Sequence, residues 1–188
     1  GNGDGITDTL QPNVTSLPFL NTSTPSTDST APEVYVTLAA GGANDGGVHL
    51  TNVTQEDAPE DLADDPLAPD LPLGFIRFTA ELPPEVDNQD FELFVPAEIE
   101  INGYWKQTSG GGWANLASAE YGGSIVIDEH GTQLNFTIQD GGPFDNDGAV
   151  NGSIDDPGGP GYVGDSATVF LAHNSGLSIF ERLKAYGQ

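Results

Sequence analysis

"GFIRFTAEL", residues 74–82, and "DFELFVP", residues 90–96, decide the fold. The first places Ile76, Phe78 and Ala80 on one face, and the second does the same for Phe91, Leu93 and Val95. Side chains alternate across a strand, so this period of two marks half-buried β-strands. Outward from these, "EVYVTLAA" (33–40) sets Val34, Val36 and Leu38 against Tyr35 and Thr37. "AEIEINGYW" (97–105), "GSIVID" (123–128), "QLNFTIQD" (133–140) and "SATVFLAH" (166–173) follow at short intervals, separated by turn formers. The chain is expected to be all-β, an immunoglobulin-like or jelly-roll-type β-sandwich of roughly seven to nine short antiparallel strands.

The composition agrees. At 188 residues the chain is long enough for one main domain with tails. Hydrophobic residues make up 36%, which suffices for a core if strands bury alternate positions, and 25 Gly with 14 Pro mark frequent turns. The "NTSTPSTDSTAP" stretch (21–32) has the composition of a linker or exposed insertion. Residues 55–72, with many acids and prolines, form a solvated loop by default.

Charge narrows the partners. Four bases (Arg77, Lys106, Arg182, Lys184) stand against 29 acids, a formal net charge of -25. Phosphate backbones and anionic lipids would be repelled, so nucleic acid is excluded as a partner. Membrane insertion is not expected either, because the sequence holds no apolar run long enough to span a bilayer. There is no cysteine, hence neither a disulfide framework nor thiolate metal chemistry. Solvated carboxylates that keep a protein soluble in saline explain overall acidity, but not aspartates clustered at fixed spacing among glycines.

One such cluster is "DGGPFDNDGAVNGSIDDPGGPG" (140–161). Asp145, Asp147, Asn151 and Asp155 offer oxygen ligands, Gly148 and Gly152 permit tight turns, and Asp140 and Asp156 stand ready as further ligands or outer contacts. Hard oxygen donors in this number suit Ca2+. The loop is no EF-hand, since Val150 occupies the position where that loop requires glycine. The competing explanation is that Asp and Gly are simply good turn formers. A second candidate opens the chain: "GNGDGITD" resembles D-x-N-x-D-G-x-x-D without its first aspartate, with Asn2, Asp4 and Asp8 offering side chains and Ile6 a carbonyl. Residues 1–10 are thus expected to be the remnant of a calcium-binding Asp-rich repeat, residues 11–161 the β-sandwich, and residues 162–188 a tail.

The 140–160 segment also resembles the signature "DGG-x-GD-x-DG-x-x-NG-x-I-x-DPGG" that closes the choice-of-anchor U domains of bacterial surface proteins. "QPNVTSLP", "VYVTLA", "LPLGFIRFTAEL", "FVPAEIEINGYWK" and "GGWANL" agree in order, so the likeness spans roughly residues 11–161. It implies an exported, β-rich module at the cell surface, and it brings no defined activity. Two features depart from the family pattern: the acidic insertion at 57–70 is long, and the tail from Tyr162 lacks the usual sorting signal.

Other features carry less. Tyr104, Trp105, Trp113 and Tyr121 could build a stacking platform for cell-surface glycans, although tryptophans of small sandwiches more often pack on the sheet. His49, His130 and His173 stand apart, and no nucleophile elbow, zincin motif or phosphate loop is present. Lys106 and Lys184 raise the idea of an intramolecular isopeptide bond to Asn or Asp, as in surface adhesins. No motif points to one, and a lysine lying along a sheet surface is the ordinary case. In the tail, Ser178 and Glu181 form a capping box that predicts a short C-terminal helix. That segment could instead pair with another copy, giving a homo-oligomer or fibre. The expected role is therefore a non-catalytic, calcium-stabilised structural or adhesive module of an extracellular protein or fibre; the alternative is a carbohydrate-binding module.

Overall fold

The computed structural model describes residues 1–21, 33–59 and 68–164. The expected helix at Ser178 and the strand at 166–173 lie outside these residues.

Among the described residues, ten strands form two five-stranded antiparallel sheets. The first sheet holds β1 (Val14–Leu20), β2 (Glu33–Gly41), β5 (Asn88–Pro96), β9 (Gly131–Gln139) and β8 (Ser124–Asp128), in that spatial order. The second holds β3 (His49–Glu56), β4 (Phe75–Glu81), β10 (Ser153–Gly161), β6 (Gly103–Gln107) and β7 (Trp113–Asn115). The all-β sandwich is thus the observed architecture. Between the sheets lie Val34, Val36, Leu38, Ile76, Phe78, Ala80, Phe91, Leu93 and Val95, the residues that the alternation assigns to the inner face. Phe78, Phe91, Phe136 and Tyr104 continue from one another as neighbouring rings, with Tyr104 and Phe136 stacked at 3.9 Å.

Four strands escape the periodicity. β1 carries Pro18, which is tolerated because β1 is an edge strand. β3 is mostly polar and bulged, its register shifting between Thr51 and Thr54 while Asn52 takes φ 53°. β7 is only three residues long. Conversely, Ile99 and Ile101 are buried from a turn rather than a strand. Among the described residues the strands number ten.

β10 is the fourth strand and the main correction. "SIDDPGGPG" reads as turn and metal loop, yet it is the central strand of the second sheet. It pairs with β4 through Ser153–Gly158 and with β6 through Gly159–Gly161. This division accommodates both prolines. The N–H and C=O of Asp155 bond away from β4, to Asp145 and to Asn146. By alternation Pro157 turns the same way, short of the β6 pairing, while Pro160 turns toward β4 beyond the end of its register. Neither missing N–H interrupts a ladder.

The first and last segments are tied to the sandwich. Asp8 accepts a hydrogen bond from the Ser16 hydroxyl on β1. Beyond β10, Tyr162 bridges Asp70 through two backbone hydrogen bonds of 2.8 and 2.9 Å, and Asn102 bonds both backbone groups of Val163. The ordered fold thus continues past residue 161. Among the described residues no helix is long and apolar enough to cross a membrane.

Candidate functional site

Period two runs through β6 as well: Tyr104 and Lys106 share a face, and that face looks into the core. On β10, Ile154 and Asp156 point inward from the adjacent strand. A lysine and an aspartate therefore meet between the sheets, with side chains 5% and 0% exposed. Lys106 Nζ contacts Asp156 Oδ1, and the Tyr104 hydroxyl donates to Oδ2. Above Asp156 the strand must be bare, because a Cβ on Gly158 would lie 2.8 Å from Tyr104 Cε1 and 2.9 Å from Lys106 Cγ. Glycine at 158 is what lets both side chains cross β10 to reach the carboxylate.

Burial acts strongly on these groups. It pulls the Lys106 ammonium down to about 7, assisted by the charge of Arg77 and opposed by that of Asp145. It pushes the Tyr104 phenol well above its usual range, so the phenol is a proton donor throughout the physiological range. A charge this deep is costly unless paired, and the contact between Lys106 and Asp156 is the pairing available.

The loop between β9 and β10 is built on two further buried carboxylates. Asp140 accepts from the amides of Asn151 (3.1 Å) and Gly152 (2.8 Å). Asp145 accepts from those of Gly141 (2.8 Å) and Asp155 (3.0 Å), joining the start of the loop to β10. Backbone N–H groups thus supply positive ends to these two acids. Asp147 and Asn151 are exposed: Asp147 accepts from the Ala149 amide and from Asn151 Nδ2, and Asn151 Oδ1 accepts from the Ser153 amide. Asp155 faces β4, where the Thr79 hydroxyl donates to it at 2.8 Å. Gly148 and Gly152 have φ values of 61° and 82°, the left-handed turns expected of them.

The four residues expected to ligate calcium, Asp145, Asp147, Asn151 and Asp155, and the two expected as further ligands or outer contacts, Asp140 and Asp156, are divided. Asp156 belongs to the core with Lys106 and Tyr104, Asp155 to the strand, Asp140 and Asp145 to backbone amides, and Asp147 and Asn151 to the surface. Among the described residues, no three acidic or histidine side chains gather as a metal-holding group. Asp156, drawn inward by strand alternation, stands apart from the other five.

At the N-terminus Asp4 and Ile6 come together around the side-chain amide of Gln11, and Asn2 bonds Asp4. Gln11 Nε2 donates to Asp4 Oδ1 and to the Ile6 carbonyl, both at 3.3 Å, and Asn2 Nδ2 donates to Asp4 Oδ2. The Ile6 amide, at 2.7 Å, is the main influence holding the Asp4 carboxyl below its usual range. Asp8 turns away toward Ser16.

The aromatic set is also divided. Tyr104 is fully buried against Phe136 and cannot meet a sugar, a correction that follows from its inward place on β6. Tyr121 packs edge-on against Phe144. Trp105 and Trp113 lie on the outer face of the second sheet; Trp105 Nε1 donates to the Gly161 carbonyl, and Trp113 meets Phe75 edge-on at 6.2 Å. Lys106 is visible in the sequence without its partner. The signal was present in the alternation of "GYWKQ", which puts Lys106 on the same side as Tyr104.

In comparisons with protein-family models, curated proteins and solved structures, nothing matches this chain.

Proposed function

We propose that this chain is a non-catalytic structural or adhesive module of an extracellular surface protein or fibre. One observation carries the proposal: its buried charged groups join strands and loops to one another. Asp145 fastens the loop to β10, Asp140 closes the same loop, and Lys106 with Asp156 joins β6 to β10 inside the core. The resemblance to choice-of-anchor U domains supports the surface location. The charge of -25 supports a setting without nucleic acid or anionic lipid as partner.

Single-molecule stretching tests the mechanical part of this proposal. A scaffold of this kind unfolds at high force, in chelator as well as in calcium, and at lower force in Asp145→Ala. Unfolding at low force that Asp145→Ala leaves unaltered would count against it. Self-association through the tail remains part of the proposal, and truncation after Gly164 checks it by sedimentation: an unchanged oligomeric state would remove the tail from the account.

A carbohydrate-binding role is the second reading, favoured by Trp105 and Trp113 lying on one outer face. Binding on a glycan array that disappears in Trp113→Ala would support it. Absence of binding to any glycan would remove it.

A further inference from the structure

We propose that Lys106 and Asp156 join covalently, through an isopeptide bond between Lys106 Nζ and Asp156 Cγ that cross-links β6 to β10 inside the sandwich. The geometry meets each requirement of such a condensation. The amine and carboxyl are in contact on neighbouring strands, so the reaction is intramolecular and its partners are held together by the fold. Both side chains are buried, which excludes the water that would otherwise hydrate the amine and reverse the reaction. Tyr104 donates to the second carboxyl oxygen, polarising the carbonyl carbon and stabilising negative charge as it develops there. Gly158 leaves the crossing point open.

The balance is simple. A lysine ammonium and an aspartate carboxylate become neutral amine and carboxylic acid by transfer of one proton, a step that desolvation favours. Lys106 Nζ then attacks Cγ, forming the C–N bond. The C–O bond to one carboxyl oxygen breaks, and that oxygen leaves as water after taking up the proton that Nζ loses. One water departs, and no oxidant, reductant or cofactor is consumed. The depressed lysine pKa agrees with this course, since it keeps a nucleophilic amine available near neutral pH.

The bond differs from a buried ion pair in mass, which decides between them. The purified full chain, denatured for intact mass spectrometry, is expected to weigh one water less than its sequence. Digestion should yield a branched peptide linking the segments that contain Lys106 and Asp156. Lys106→Arg and Asp156→Ala should both restore the full sequence mass. Asp156→Asn should lose one ammonia instead, because the same amine would displace the amide nitrogen. A succinimide at an Asp-Gly step also removes one water, but it would survive Lys106→Arg and give no branched peptide. That outcome, or a wild-type chain at full sequence mass, overturns the proposal. Wild-type mass and peptide mapping suffice if a variant fails to fold, and their failure leaves the scaffold role standing.

Discussion

The two aspartate-rich segments, 1–11 and 140–156, are alike in composition and differ in what surrounds their carboxylates. In the first, Asp4 is exposed and its partners are an amide and a glutamine from the same short segment. In the second, Asp140, Asp145 and Asp156 are buried, and their partners come from separate turns and strands. Location therefore separates a locally folded loop from a set of structural hubs. Asp140 and Asp145 hold the turns of one loop to each other and to the start of β10, Asp156 joins two strands, and removing any of them leaves buried donors without acceptors.

The largest test of this contrast is Asp156→Ala. Lys106 then keeps its burial and loses its partner, with an expected loss in urea unfolding of about 3–5 kcal/mol from an ion pair and a larger one from the covalent link proposed above. The same variant should show a distinctive pH dependence. Lys106 titrates near 7 in the fold, whereas an unfolded lysine titrates at about 10.4. Between these values the unfolded chain binds more protons, so stability rises with pH and levels off above the unfolded value. A flat profile across this range would show that Lys106 is not buried as described.

Asp145→Ala comes next, with an expected loss of about 2–3 kcal/mol for two amides deprived of their acceptor. Asp145→Asn retains one acceptor oxygen and should recover part of it. Gly158→Ala should cost about 1–3 kcal/mol by crowding Tyr104 and Lys106 at β10. Asp4→Ala is the smallest, leaving the thermal midpoint unchanged because its contacts are local and solvent-exposed. An Asp4 effect as large as that of Asp145 would erase the distinction between the two loops.

Much of the sandwich was legible in the sequence, because β2, β4, β5 and β9 alternate cleanly and period two leaves no other arrangement for their apolar residues. β10 was hidden by its glycines and prolines. Those residues ordinarily punctuate chains, and here the strand tolerates them only because its two partners occupy different halves of its length. β3 was hidden by polar residues and a bulge. At the site, spacing singled out these aspartates but not their surroundings. Ligand-like offsets in "DNDGAVNGSIDD" are equally those of Asx turns and of a strand start, and only the inward face of β10 separates Asp156 from the rest. Lys106 was visible but unpaired, since the contact spans two strands far apart in sequence.

Thermal unfolding of the full chain in chelator, in calcium and in magnesium tests most directly whether the buried carboxylates are satisfied within the protein. The account predicts one cooperative transition in chelator, with calcium and magnesium moving its midpoint equally. A fold that collapses in chelator, or a rise specific to calcium that disappears in Asp145→Ala with Asp147→Ala, would contradict it and assign those carboxylates to an ion.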